Sequence, residues 1–242
     1  MTNNSEMTKV GTHISSQFAE ELKEVRDAVL SMGGEVETQL ADAIRAIKTS
    51  DHELADKVLS NDRVVNAFEL DIDNACTQLI AKRQPAARDL RQVIATFKTI
   101  TDLERIGDET KRIASVAKES FSSEQQHLLA SLENLGELVL AMLRTVLNAF
   151  ARMDSVEALE VHRSDQGIDR QYEAMLRQLM TYMMEDPRSI PKIMDVVFSA
   201  RSLERIGDRC QNIAEYVIYN VHGKDVRHTS AADIEDALRA PR

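Results

Sequence analysis

The hexapeptide Leu-Glu-Arg-Ile-Gly-Asp occurs at residues 103–108 and again at 203–208, an offset of 100 in a chain of 242 residues. Each copy carries two carboxylates four residues apart, Glu104 with Asp108 and Glu204 with Asp208. On a helix such a pair projects from one face, so each copy offers two oxygen donors side by side. Two like charges at this spacing are mildly unfavourable alone, by about 0.2–0.5 kcal/mol. A group across the bundle could offset them.

The partners follow from hairpin register. Around a turn near Gln84, Glu104 and Asp108 lie level with a stretch holding Asp62 and Asn66. Around a turn near Pro187, Glu204 and Asp208 lie level with Asp165 and Asp169. Both are polar pairs at i,i+4, and Glu69 and Asp73 continue the first stripe. Facing oxygen pairs with no His or Cys suit hard cations: Mg²⁺, Ca²⁺, Mn²⁺ or iron. The same spacing also fits an acidic groove paired with Lys and Arg, or a docking surface for a basic partner. A di-iron bundle would need Glu-x-x-His twice; only Glu124 and His127 stand at that spacing.

Helices must hold these groups. Gly and Pro number 8 and 4, aromatics are 4%, and there is no Trp; Ala, Leu, Glu, Arg, Gln and Met favour helix. A second repeat, MGGEVETQL at 32–40 against LGELVLAML at 135–143, has an offset of 103. The expected fold is all-α: a tandem repeat of two antiparallel three-helix bundles. Periodicity predicts helices over residues 13–48, 51–82, 86–121, 124–153, 155–185 and 189–221, with a short one at 231–238. Pro85 is expected in the first turn of the third helix, and Gly223 as the stop of the sixth. The divisions are a disordered 1–12, bundles at 13–121 and 122–223, and a polar tail at 224–242. Leu103, Ile106, Thr110 and Ile113 fall on the core stripe, with Gly107 between the carboxylates, where a neighbouring helix comes close.

The net charge of −10 argues against a nucleic-acid partner. No basic anion pocket is evident. The polar opening has no signal-peptide core, and no stretch reaches the ~18 apolar residues of a membrane span. Cys76 and Cys210 lie far apart in no metal spacing, and read as free thiols in a reducing compartment. A cytoplasmic protein is expected. No nucleophile motif is present.

The two LERIGD copies, QPAARDLR at 84–91 and LMTYMMEDPRSIP at 179–191, in that arrangement, resemble the PhoU family over residues 13–221. The resemblance implies two three-helix bundles, often in a homodimer. It implies E(D)-x-x-x-D metal motifs at Glu104/Asp108, Glu204/Asp208 and Asp165/Asp169. At Asp62/Asn66 an amide replaces the second acid, which implies a weaker or empty first site. The implied role is a non-enzymatic regulator that keeps the phosphate-starvation response off in high phosphate. It would link the phosphate ABC transporter, through its ATPase, to a sensor histidine kinase and restrain uptake, meeting the membrane only through those proteins. The competing expectation is a metal-dependent phosphohydrolase built on the carboxylates.

Overall fold

A computed structural model describes residues 4–119, 121, 126–227 and 229–239. The helices are α1 (Asn4–Thr49), α2 (His52–Arg83), α3 (Ala87–Val116), α4 (Gln126–Arg152), α5 (Ser155–Glu185), α6 (Ile190–His222) and α7 (Ala231–Arg239). A 3₁₀ turn, Pro187–Ser189, leads into α6. There is no strand among the described residues.

Three expectations need correction. Helix α1 begins at Asn4, inside the segment 1–12 expected to be disordered. The third helix ends at Val116 rather than at residue 121, its backbone passing into turns at Ala117 and Lys118. Pro85 precedes the helix cap, Ala86, instead of sitting in the first turn. The hairpin is turned by left-handed Gln84, at φ 48°. The expected Glu124 start lies outside the described residues, as does the side chain of His127.

The repeat is visible in the turns. Ser50 and Met153, equivalent at the 103 offset, both adopt φ 51°. Each is followed by a capping aspartate: Asp51 accepts from the Leu54 N–H, Asp154 from those of Val156 and Glu157. The offset changes from 103 to 100 between the middle and third helices of each half. There Gln84 to Ala86 joins α2 to α3, whereas Asp186 caps a 3₁₀ turn before α6. Gly223 ends α6 at φ 72°, as expected.

The halves pack about a pseudo-two-fold axis. The central helices form a ring, α1 against α3, α3 against α6, α6 against α4 and α4 against α1, with α2 and α5 on the flanks. Gly33 and Gly136 allow α1 and α4 to touch. A Cβ on Gly33 would lie 2.5 Å from Leu147, and one on Gly136 would lie 2.9 Å from Ile44. These contacts are reciprocal at the 103 offset, so the two helices cross antiparallel. One apolar cluster runs through both halves, from Val25 to Ile234.

Candidate functional site

In each hexapeptide the leucine and isoleucine are buried, the glycine faces the middle helix and the carboxylates line the groove beside it. A Cβ on Gly107 would sit 3.5 Å from Val65 of α2; one on Gly207 would sit 3.3 Å from Asp165 Oδ1 and Ile168 of α5. The close approach expected beside the carboxylates is therefore present in both halves.

The first half gathers its acids around a lysine. Lys111 Nζ lies 2.9 Å from Asp62 Oδ2 and 2.7 Å from Asp108 Oδ1. Asn66 donates its amide to Asp62 Oδ2 at 3.2 Å. Burial raises the pKa of Glu104, with Asp108, Glu69 and Asp62 adding to the rise and Lys111 opposing it. Burial alone would lower Lys111, but its hydrogen bonds to Asp108 and Asp62 outweigh that and raise it. Glu69, too, is raised by burial and by Asp73. The expected residues meet, yet an ammonium already supplies the cation.

The second half has no such lysine; the equivalent position is Gln211, whose amide lies 3.4 Å from His162 Nε2. Burial pushes Asp165 up to about 7, helped by Asp169, Asp208 and Glu204. Glu204 is raised by burial and by Asp208, and Asp208 by burial and by Asp169. Among the described residues Arg201 alone pairs with the cluster, 2.9 Å from Glu204 Oε1, with Arg205 and Arg209 near enough to oppose the rise of Asp208. Asp165 Oδ1 and Glu204 Oε2 are buried without a hydrogen-bond partner, as are Asp62 Oδ1 and Asn66 Oδ1 of the first cluster, so the halves differ in counter-charge rather than in orphaned oxygens. Four mutually repelling carboxylates with orphaned buried oxygens are the donor chemistry a hard cation needs. Among the described residues no three His, Cys, Asp or Glu side chains are gathered tightly enough to hold a metal ion as they stand. The second cluster thus fits a cation by chemistry and electrostatics, while the first holds its own counter-charge. The sequence signal for this asymmetry was Lys111 against Gln211, a difference that the comparison of hexapeptides alone passes over.

A buried acid outside the expected set was not foreseen. Glu215 of α6 is 8% exposed and lies 3.7 Å from His162 Nε2. Burial pushes its carboxyl up to about 7; Asp225, Asp102 and Asp165 add to the rise and Arg227 opposes it. Burial lowers His162. A carboxyl raised in the folded state contributes stability that is full below its unfolded value and lost as pH rises through about 7. Lowered His162 acts oppositely, its contribution being lost as pH falls below its unfolded value. Glu215→Gln isolates the acid. From about pH 5 to about pH 8 the variant should gain roughly 1–3 kcal/mol on the parent protein in urea unfolding. A difference that stays flat with pH would refute the assignment.

Comparison with known proteins gives a consistent picture. A family model described as the PhoU domain matches residues 29–117 and 132–217. The phosphate-specific transport system accessory protein PhoU of Serratia marcescens is 53% identical over 235 residues, 97% of this chain and 97% of that protein. A crystal structure of PhoU from Pseudomonas aeruginosa matches with a TM-score of 0.81 at 44% identity, over 86% of this chain and 100% of that one. The phosphate transport system regulatory protein PhoU from Streptococcus pneumoniae gives a TM-score of 0.78 at 30% identity, over 86% and 99%.

Proposed function

Because this chain belongs to the PhoU family, we propose that it is a non-enzymatic cytoplasmic regulator of phosphate uptake. It would keep the phosphate-starvation response off when phosphate is plentiful by linking the phosphate ABC transporter's ATPase to a sensor histidine kinase, and would restrain uptake. The observation that carries this reading is the near full-length match to a relative named for the phosphate-specific transport system. Long helices with broad faces suit protein docking, and no helix of the described residues is long and apolar enough to cross a membrane. Contact with the membrane would then run through partner proteins. A homodimer fits the family resemblance.

The competing reading, a metal-dependent phosphohydrolase, would need two metals roughly 3.5–4 Å apart with an open coordination position. Lys111 stands in the first cluster, which leaves one cluster for such a centre. The thiols offer no alternative nucleophile: both are buried, and burial pushes Cys76 up to about 12 and Cys210 higher still. In the regulator reading a divalent or ferric cation would be held by Asp165, Asp169, Glu204 and Asp208. When bound, it would supply positive charge to that cluster. The first-half set, Glu104, Asp108, Asp62 and Asn66, would remain closed by Lys111.

Deleting the gene is expected to switch on a phosphate-starvation reporter in phosphate-rich medium, and expression of the intact chain should silence it again. Unchanged reporter output in the deletion strain would sink the regulator reading. Glu104→Ala with Glu204→Ala separates the two classes: a regulator keeps much of its silencing, whereas a phosphohydrolase loses turnover outright.

A further inference from the structure

The seam between α3 and α6 is basic, although the chain carries a net charge of −10. These helices run antiparallel across the pseudo-two-fold axis: Asp102 meets Arg209, and Ser202 meets Glu109. Their outer face lies opposite the α1–α4 layer and carries two adjoining hollows. One, of 330 Å³, is lined by Lys98, Arg105 and Arg209 beside Tyr216. The other, of 520 Å³, is lined by Arg112, Arg201 and Arg205 beside Phe198. The hollows are equivalent at the 100 offset: Arg105 corresponds to Arg205, Asp102 to Ser202, and Lys98 to Phe198.

Asp102, Glu109 and Glu204 within the seam are already engaged by its arginines. Asp102 accepts from Arg209 at 3.3 Å and from the Tyr216 hydroxyl at 3.0 Å. Glu109 accepts from Ser202 at 2.7 Å, Arg205 at 3.1 Å and Arg112 at 3.4 Å. Asp195 lines the outer hollow, Glu204 is paired with Arg201, and Asp225, held by Arg227, stands near Lys98. Lys98 lies over the rings of Tyr216 and Tyr219, at 5.3 and 5.9 Å. Among the described residues neither Lys98 nor Arg105 makes an ion pair. Lys98, Arg105 and Arg112 recur every seven residues along α3, a row of about 21 Å at 1.5 Å per residue. Phe198 stands 59% exposed at one end.

We propose that this seam is the docking groove for an acidic segment of a partner protein, one with carboxylates flanking an apolar side chain. The cations are spread along a line rather than converging on a point, which suits an extended segment better than a single small anion. The exposed Phe198 supplies an apolar anchor that an inorganic ion would not use. With a net charge of −10 the rest of the chain is acidic on balance, so charge steers such a segment to this face. The expected partner is thus acidic at the contact, the reverse of a basic patch seeking the protein's acidic surface. Its biological meaning rests on the regulator reading above.

The test is fluorescence anisotropy with the purified full chain and a labelled glutamate-rich peptide containing a central leucine. Binding should be salt-sensitive and weakened at least ~10-fold by Lys98→Gln with Arg105→Glu. The control, Lys23→Gln with Arg63→Glu, makes the same charge change at exposed sites away from the seam and should leave binding unchanged. Phe198→Ser, which alters no charge, should weaken the leucine peptide but not an all-glutamate one. Variants are compared only where their melting curves match that of the parent. No peptide binding at low salt, or equal loss in the control pair, overturns the proposal. So does displacement by inorganic phosphate beyond that of sodium chloride at matched ionic strength, which would mark a phosphate site, or tighter binding of a single-stranded RNA to the same residues. The reporter assay is independent: a silent peptide assay with normal reporter control rejects the groove alone, and the converse rejects the regulator reading alone.

Discussion

Leu203→Ala should destabilise the entire chain by about 3 kcal/mol, within the range of about 2–5 for a buried leucine truncated to alanine. The side chain is fully buried and belongs to the apolar cluster shared by both halves. For a chain of this size that corresponds to a fall in melting temperature of roughly 6–12 °C. The less obvious part is cooperativity. Because α1 contacts α4 and α3 contacts α6 through the same core, the loss should not stay in the second half. Hydrogen exchange is expected to show reduced protection in α1 and α3 as well as in α4 and α6, with a single thermal transition. Leu103→Ala should behave alike. Val156→Ala, at a position 67% exposed, should change stability by less than about 0.5 kcal/mol. Two separate transitions, or loss of protection confined to residues 126–222, would show that the halves fold as independent units.

Gln211→Lys should transfer the first half's solution to the second. Its ammonium would stand among Asp165, Asp169, Glu204 and Asp208, as Lys111 stands between Asp62 and Asp108. Without divalent cation the variant should gain about 1–2 kcal/mol, because it relieves repulsion among partly buried carboxylates. The lost Gln211–His162 contact reduces that gain slightly. More decisive is the response to cation. If a cation binds the folded parent chain, added Mn²⁺ or Mg²⁺ raises its melting temperature and chelator lowers it; Gln211→Lys should abolish both effects. Lys111→Gln should do the reverse, costing about 1 kcal/mol, a modest figure because the Lys111 and Asp108 side chains are 30% and 52% exposed. It should also create a new response to cation in the first half. Identical cation responses in the parent chain and Gln211→Lys would refute the assignment of the second cluster.

Much of this protein was legible in its sequence because helices are local. Periodicity, capping aspartates and Gly223 reflect interactions over a few residues, so α5 was bounded to the residue and α2 and α6 to within one at each end. The repeat and hairpin register also brought the correct residues of α2 and α3, and of α5 and α6, to the same level, since two helices joined by a short turn leave little choice of pairing. Helix ends without a strong local stop, at Asn4 and Val116, were misplaced for the same reason.

Tertiary structure decided what the groups do. Lys111 was visible as a letter, but only packing puts its ammonium between carboxylates of two helices, turning one of two similar motifs into a closed ion pair. The Gly33–Leu147 and Gly136–Ile44 contacts join segments more than a hundred residues apart, and no local pattern encodes that separation. The basic seam had the same origin. Lys98, Arg105 and Arg112 on α3, and Arg201, Arg205 and Arg209 on α6, are ordinary solvated charges on separate helices in an acidic chain. They become a groove only when the pseudo-two-fold axis sets those helices antiparallel and side by side.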